Sequence, residues 1–196
     1  MMKSSKKAEM GMGTLIIFIA LVLVAAIAAS VLISTTGTLQ NKALATGKET
    51  TKEVGTSLNV LQVYAEDGSD QDIEEFTEVV KLNAGSDPIR FNDLLLTMNL
   101  NNVSGDYTYD DTVNCSNTSS TIASGDYGID YAIEGGSYQE GYLNKGDVVR
   151  ICFEAPRSVG EAEDVELSLV PKVGTPYVVE TTLPDLMVDT RVAVFP

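Results

Sequence analysis

The stretch LIIFIALVLVAAIAASVLI, from Leu15 to Ile33, decides how this chain is organised. Its 19 residues carry no charge, and Ser30 is the only polar side chain among them. As an α-helix, at about 1.5 Å per residue, the run would extend roughly 28 Å, close to the hydrocarbon thickness of a bilayer. Because it is apolar on every side, it is not an amphipathic surface helix. The simplest interpretation is a single transmembrane anchor.

Charge is unevenly distributed around this run. Lys3, Lys6 and Lys7 precede it, and almost all the acidic residues lie beyond residue 48. The 196 residues include 13 basic and 28 acidic side chains, a formal net charge of −15. A basic segment before an apolar helix holds that end of the chain in the cytoplasm. The acidic remainder is typical of a protein that faces water, and it argues against binding to nucleic acid.

Small residues recur inside the apolar run at helical spacing. Ala25 and Ala29 are four residues apart, and so are Ala26 and Ser30. Each pair falls on one side of a helix, where it allows a neighbouring helix to approach closely. The alternative is that these residues simply face lipid.

The helical pattern continues beyond the apolar run. Val54, Leu58 and Leu61 have the i, i+4, i+7 spacing of one helix face. This spacing predicts a nearly continuous helix over residues 12–64, bent near Gly37. The polar, turn-rich segment 65–72, with the sequence AEDGSDQD, is the predicted junction to a second domain.

Period-two alternation dominates residues 73–196 and predicts antiparallel strands that are buried on one face. About seven such strands indicate a β-sandwich. Tyr127 and Tyr131 are then core residues rather than a binding platform. The alternating sets are Leu94, Leu96, Met98, Leu100; Tyr127, Ile129, Tyr131, Ile133; Val149, Ile151, Phe153; Val165, Leu167, Leu169; Tyr177, Val179, Thr181, Leu183; and Val188, Val192, Val194.

The sequence contains few candidate catalytic residues. The chain has no histidine, which removes the commonest general base and metal ligand. No phosphate-binding glycine loop, nucleophile elbow or zinc-protease helix is found. The sequence therefore predicts no enzyme and no cofactor. Asp67, Asp70 and Asp72 form a loose acidic cluster, but its spacing does not match a calcium loop, and a solvated junction is the simpler interpretation.

Two kinds of covalent modification are candidates. N-glycosylation sequons begin at Asn102, Asn114 and Asn117, all in a polar stretch. The two cysteines, Cys115 and Cys152, lie in the acidic domain, where a disulfide persists if that domain is extracellular. Two free thiols are equally compatible with the sequence.

The segment KKAEMGMGTLIIFIALVLVAAIAASVLI resembles the leader and mature N-terminus of archaellins, the archaeal flagellins. The segment NAGSDPI, residues 83–89, is more loosely similar to the family segment between the first β-strands. The resemblance implies a cleaved leader over residues 1–11, with a prepilin-peptidase-like membrane enzyme cutting between Gly11 and Met12. It also implies a filament core of packed helices surrounded by immunoglobulin-like domains.

The resemblance further implies the partners and the location. The precursor would lie in the cytoplasmic membrane, and the mature chain would polymerise with copies of itself or with related archaellins. An assembly platform and a motor would complete a rotating extracellular filament. Two alternatives remain at this stage: an archaeal adhesive pilin, and a membrane-anchored surface-binding protein. A bacterial pilin is disfavoured because the fifth mature residue would be Ile16, where those proteins usually have glutamate.

Overall fold

The computed structural model describes residues 5–66, 72–113, 115, 125–187 and 189–195. The chain divides into two compact units, residues 1–49 and residues 50–196. A single helix, α1, runs over Ser5–Gly55 and continues through Gly37 and Gly47. The strands are β1 Leu58–Glu66, β2 Ile73–Leu82, β3 Ile89–Arg90, β4 Leu94–Leu100, β5 Ser104–Tyr109, β6 Asp126–Ile133, β7 Tyr142–Leu143, β8 Val148–Val159, β9 Asp164–Pro171, β10 Tyr177–Thr182 and β11 Arg191–Phe195.

The second unit, which we call the β unit, is built on one long sheet with the order β10-β9-β4-β5-β6-β8-β2-β1-β11. Strand β5 passes from one layer to the other. Its residues 104–107 pair with β4, and its last two residues pair in parallel with β6. The two edge strands also meet, because the Thr181 hydroxyl in β10 donates to the Val194 carbonyl in β11 at 2.7 Å. The sheet therefore folds over a single core.

This architecture confirms the predicted fold class: α+β, with a long N-terminal helix followed by a mostly antiparallel β-sandwich. The parallel pair of β5 and β6 is the departure from an entirely antiparallel domain. The core is apolar and aromatic, with the rings of Phe76 and Phe153 stacked at 5.9 Å between centroids. Tyr127 is completely buried and Tyr131 packs against the core, so both belong to the core as predicted.

The predicted helix over residues 12–64 is wrong at its C-terminal end. Helix α1 ends at Gly55, and β1 begins at Leu58. Val54 is 73% exposed whereas Leu58 is buried, so these residues do not share one helix face. A bulge between Val60 and Gln62 shifts the alternation of β1 by one residue, and this shift conceals the strand pattern.

The predicted junction over residues 65–72 is also wrong as a domain boundary. Ala65 and Glu66 belong to β1, where they pair with Phe76 and Glu75 of β2. The boundary falls earlier, at residues 49–50. Polar, turn-rich residues between two strands mark a hairpin connection as readily as a domain junction.

Candidate functional site

The apolar part of α1 has no partner within the part of the chain that the structure describes. Every side chain over residues 10–55 is exposed, including Leu15 at 61% and Phe18 at 66%. Over residues 10–55, the most apolar 18-residue window has a mean hydropathy of 3.2, and none of that window is buried. By length and composition, this helix could cross a membrane. Its apolar surface requires surroundings other than water.

Three threonine hydroxyls just beyond the apolar run bond to the backbone of their own helix. Thr35 and Thr36 donate to the carbonyl oxygens of Val31 and Leu32, at 2.9 and 2.7 Å. Thr38 donates to the carbonyl oxygen of Ser34 at 2.7 Å. A threonine that bonds its own helix backbone satisfies its donor without an outside partner. Threonine beside an apolar run is the sequence signal of this feature.

The predicted helix-packing residues all lie on α1. Ala25 and Ala29 are one turn apart, as are Ala26 and Ser30, and all four are exposed. The predicted cleavage residues, Gly11 and Met12, also lie inside the helix.

A small polar cluster fixes the chain where it leaves the helix. The Asn83 side-chain amide donates to the Ser57 hydroxyl at 2.9 Å, and the Ser86 hydroxyl accepts from the Ser57 backbone N–H at 3.0 Å. The Asn83 backbone N–H donates to the Ser57 carbonyl at 3.1 Å. We call Ser57, Asn83 and Ser86 the exit clamp. Two of the three clamp residues, Asn83 and Ser86, lie in the segment NAGSDPI over residues 83–89.

The two cysteines are joined in the structure. Cys115 and Cys152 form a disulfide, with their Cα atoms 5.7 Å apart. Cys152 lies in β8 on the face opposite Ile151 and Phe153, and it pairs with Gly128 of β6. A Cβ at Gly128 would lie 2.6 Å from the Val113 side chain, so only glycine admits the loop after β5, which contains Val113, this closely.

The start of that loop is ordered by a local turn. The Thr112 backbone N–H and hydroxyl both donate to the Asp110 carboxylate at 2.8 Å. These bonds, led by the one from the backbone N–H, lower the pKa of the Asp110 carboxyl. The loop therefore approaches β8 from a fixed turn.

The remaining predicted sites are only partly described. Asn102 is exposed, and its side-chain oxygen accepts from Arg157 Nε at 3.0 Å. Asn114 and Asn117 lie outside the described residues, as do Asp67 and Asp70, while Asp72 is exposed. Among the described residues, no three acidic, histidine or cysteine side chains are grouped so that they could hold a metal ion.

Comparison with known proteins places the chain in a family. The model of archaeal-type flagellin matches residues 8–181. Flagellin B2 of Methanocaldococcus jannaschii is 36% identical over 95% of this chain and 93% of its own length. Flagellin B1 of Methanococcus voltae is 34% identical over 92% of each chain. Flagellin B1 of Thermoplasma volcanium is 40% identical, but the match covers 68% of this chain and 56% of that protein.

A solved structure agrees on the fold. The archaeal flagellum of Methanospirillum hungatei superposes with a TM-score of 0.67 at 17% identity, covering 95% of this chain and 99% of that one. The similarity spans the N-terminal helix as well as the β unit, because it includes nearly the whole chain. The chain therefore belongs to the archaeal-type flagellin family and is a structural filament subunit, not an enzyme.

Proposed function

We propose that this chain builds the archaellum by burying the apolar surface of α1 against the helices of other copies, while the β unit faces water. One observation carries the proposal. The helix exposes its apolar side chains, whereas the β unit buries most of its own in one core. Burial of such a surface in a bundle of identical helices removes it from water without a second protein. The family assignment favours this filament over an adhesive pilin or a membrane-anchored binding protein.

The selectivity of this packing comes from small side chains. Lipid and a helix bundle are about equally apolar, so solvation alone does not drive the helix from one to the other. Close van der Waals contact at Ala25, Ala29 and their neighbours supplies the preference. Because the threonine hydroxyls bond their own backbone, the same helix suits both surroundings.

The substitution Ala29→Leu tests this step. Replacing the methyl group with an isobutyl group in a close contact costs about 1–3 kcal/mol, and this contact recurs in every subunit. We expect far fewer and shorter filaments in sheared preparations seen by electron microscopy, with membrane insertion retained because leucine is well tolerated in lipid. Ile27→Leu, which keeps the volume, is the matched control. Normal filaments from Ala29→Leu would place that residue on a loosely packed side.

Processing would precede assembly. A membrane peptidase would cut between Gly11 and Met12 and remove Lys3, Lys6 and Lys7 with the leader. Glycines 11 and 13 flank the site, and each lowers helix stability by about 1 kcal/mol relative to alanine. The backbone can therefore unwind here at lower cost than in the alanine-rich run. Sequencing the N-terminus of filament protein should find Met12 first, and a chain that begins before Lys6 would contradict the site.

The other partners follow from the same proposal. The precursor would lie in the cytoplasmic membrane, held by its leader lysines. An assembly platform would take up the processed chain, and a motor would turn the filament. The disulfide between Cys115 and Cys152 would persist outside the cell. Asn102 would carry a glycan: its contact with Arg157 uses the side-chain oxygen and not the amide nitrogen that a glycan occupies.

A further inference from the structure

Glu78 occupies a core position in β2. Phe76, Val80 and Leu82 share its face of the strand, and all three are buried. Glu78 itself is 1% exposed. Its register partners are the buried residues Val63 in β1 and Ile151 in β8. An acidic side chain thus stands inside an apolar layer.

The carboxyl group has no hydrogen-bond partner, at either Oε1 or Oε2, in the part of the chain that the structure describes. The ion pairs among the described residues do not include Glu78. An isolated ionised carboxylate is far more costly to bury than a neutral acid. Burial therefore raises the pKa of Glu78 from 4.5 to about 8.

The strands on either side of Glu78 direct their charges elsewhere. Glu66 of β1 and Arg150 and Glu154 of β8 alternate onto the opposite face of the layer, as Lys81 does in β2 itself. The core-facing residues of these strands are apolar: Leu58, Val60, Val63, Ala65, Val149, Ile151 and Phe153. The titratable side chains in the hydrophobic core cluster are tyrosines, chiefly Tyr107 and Tyr127, and burial raises the pKa of both hydroxyls above their ordinary value of 10. Asp147 is also buried, but its carboxylate accepts hydrogen bonds from the backbone N–H groups of Gly135 and Asn144.

We propose that Glu78 links the stability of the β unit to pH, because the folded unit holds one proton on this side chain that the unfolded chain releases, so that stability falls as the pH rises from acidic to slightly alkaline. The direction follows from comparing the two states. Near neutral pH the acid is protonated in the folded chain and ionised in the unfolded chain, so unfolding releases a proton. The contribution is complete below about pH 4.5 and is lost as the pH rises towards 8. Across that interval the unfolding equilibrium constant increases by up to about tenfold per pH unit.

The composition of the chain leaves few other groups that could cause a pH dependence of stability in this range. The chain has no histidine, and Cys115 and Cys152 are joined in a disulfide. Between about pH 6 and pH 8, side chains with an ordinary pKa, other than histidine and free cysteine, hardly change their charge. The carboxyls of Asp110 and Glu163, whose pKa values are lowered, titrate below this range. The terminal amine is common to every variant compared.

Denaturant unfolding of the full chain in non-ionic detergent, followed by the circular dichroism of the β unit, tests the proposal. The variant Glu78→Gln keeps the size of the side chain without the proton. Glu74→Gln, at an exposed position of the same strand, is the matched control. Between about pH 5.5 and pH 7.5, we expect the wild type and the control to lose stability as the pH rises, and Glu78→Gln to lose much less. An equal pH dependence in all three proteins would overturn the proposal.

Infrared spectroscopy of the unmodified chain gives an answer even where Glu78→Gln does not fold. At about pH 6.5, exposed carboxyls are ionised, so a remaining carboxylic-acid carbonyl band reports a buried protonated group. We expect such a band, and we expect it to disappear as the pH rises through about 8. A folded chain without this band at pH of about 6.5 would overturn the proposal. Neither measurement depends on polymerisation, so a failure of this proposal can be distinguished from a failure of the proposed filament assembly.

Discussion

The helix and the β unit use the same apolar residues in opposite ways. Leu23 on α1 is 59% exposed, whereas Leu96 in β4 is fully buried. In the β unit, apolar burial within the chain stabilises the fold. Along α1, the same gain becomes available only when lipid or another helix covers the surface. One chain thus combines a unit that is complete in itself with an element that depends on its surroundings.

The contrast between α1 and the β unit predicts which fragment of the chain folds by itself. Loss of folding in the wrong fragment is the largest effect we expect. A fragment over residues 50–196 retains all of β1 and should be folded and monomeric. A fragment over residues 66–196 lacks nearly all of β1, which lies between β2 and β11 in the sheet. That fragment should fail to fold, because β2 and β11 both lose β1, the strand with which they pair.

Amide exchange and size-exclusion chromatography measure both fragments. If the shorter fragment is equally protected from exchange, β1 is dispensable and the boundary at residues 49–50 is not the functional one. If the longer fragment polymerises, the β unit contains the main assembly surface and the comparison with α1 fails.

Matched phenylalanine truncations sharpen the contrast. Phe153 in the core is fully buried and contacts both Phe76 and Tyr107, with ring centroids 5.9 and 5.0 Å apart. Phe153→Ala should lower the free energy of unfolding of the β unit by about 3–5 kcal/mol. Phe18→Ala on the helix should leave that free energy unchanged and weaken polymerisation instead. Denaturant unfolding and filament yield separate the two effects, and a large loss of β-unit stability in Phe18→Ala would contradict the division.

The disulfide provides a smaller test within the β unit. Its 37-residue separation corresponds to about 3–4 kcal/mol in the chain-entropy model. Replacing both cysteines with serine should lower the thermal midpoint of the β unit and leave the helix able to insert in a membrane. Peptide mapping of native filaments without reducing agent provides the check, because freely alkylated thiols at both positions would contradict the bridge.

The elements in which apolar residues follow one regular pattern were predictable from the sequence. The alternation of Leu94, Leu96, Met98 and Leu100 corresponds to β4. The uncharged run from Leu15 to Ile33 likewise predicted a long helix, which the structure confirms. In both segments a single hydrophobic pattern coincides with one element, so local sequence and three-dimensional structure agree.

Hydrophobic alternation did not predict the strands in which a core position is not apolar or a bulge shifts the register. In β1, the bulge near Leu61 moves the buried positions by one residue. In β2, Glu78 places an acid where alternation requires an apolar residue, and that strand was not identified. In β5, Tyr107 is the only buried side chain, so no alternation is visible. The exit clamp joins residues 26 or more positions apart, which no local pattern reports.

The exit clamp has a mechanical consequence. A pull along the chain at Gly55 reaches Ser57 before it reaches β1. Ser57 is bonded through its N–H, carbonyl and hydroxyl to Asn83 and Ser86 at the same time. The load is therefore shared by several bonds in parallel, and they must break together rather than one after another. Since forced unfolding is governed by the rate of unfolding, we expect these bonds to slow the unfolding of the β unit when it is pulled at its N-terminal end.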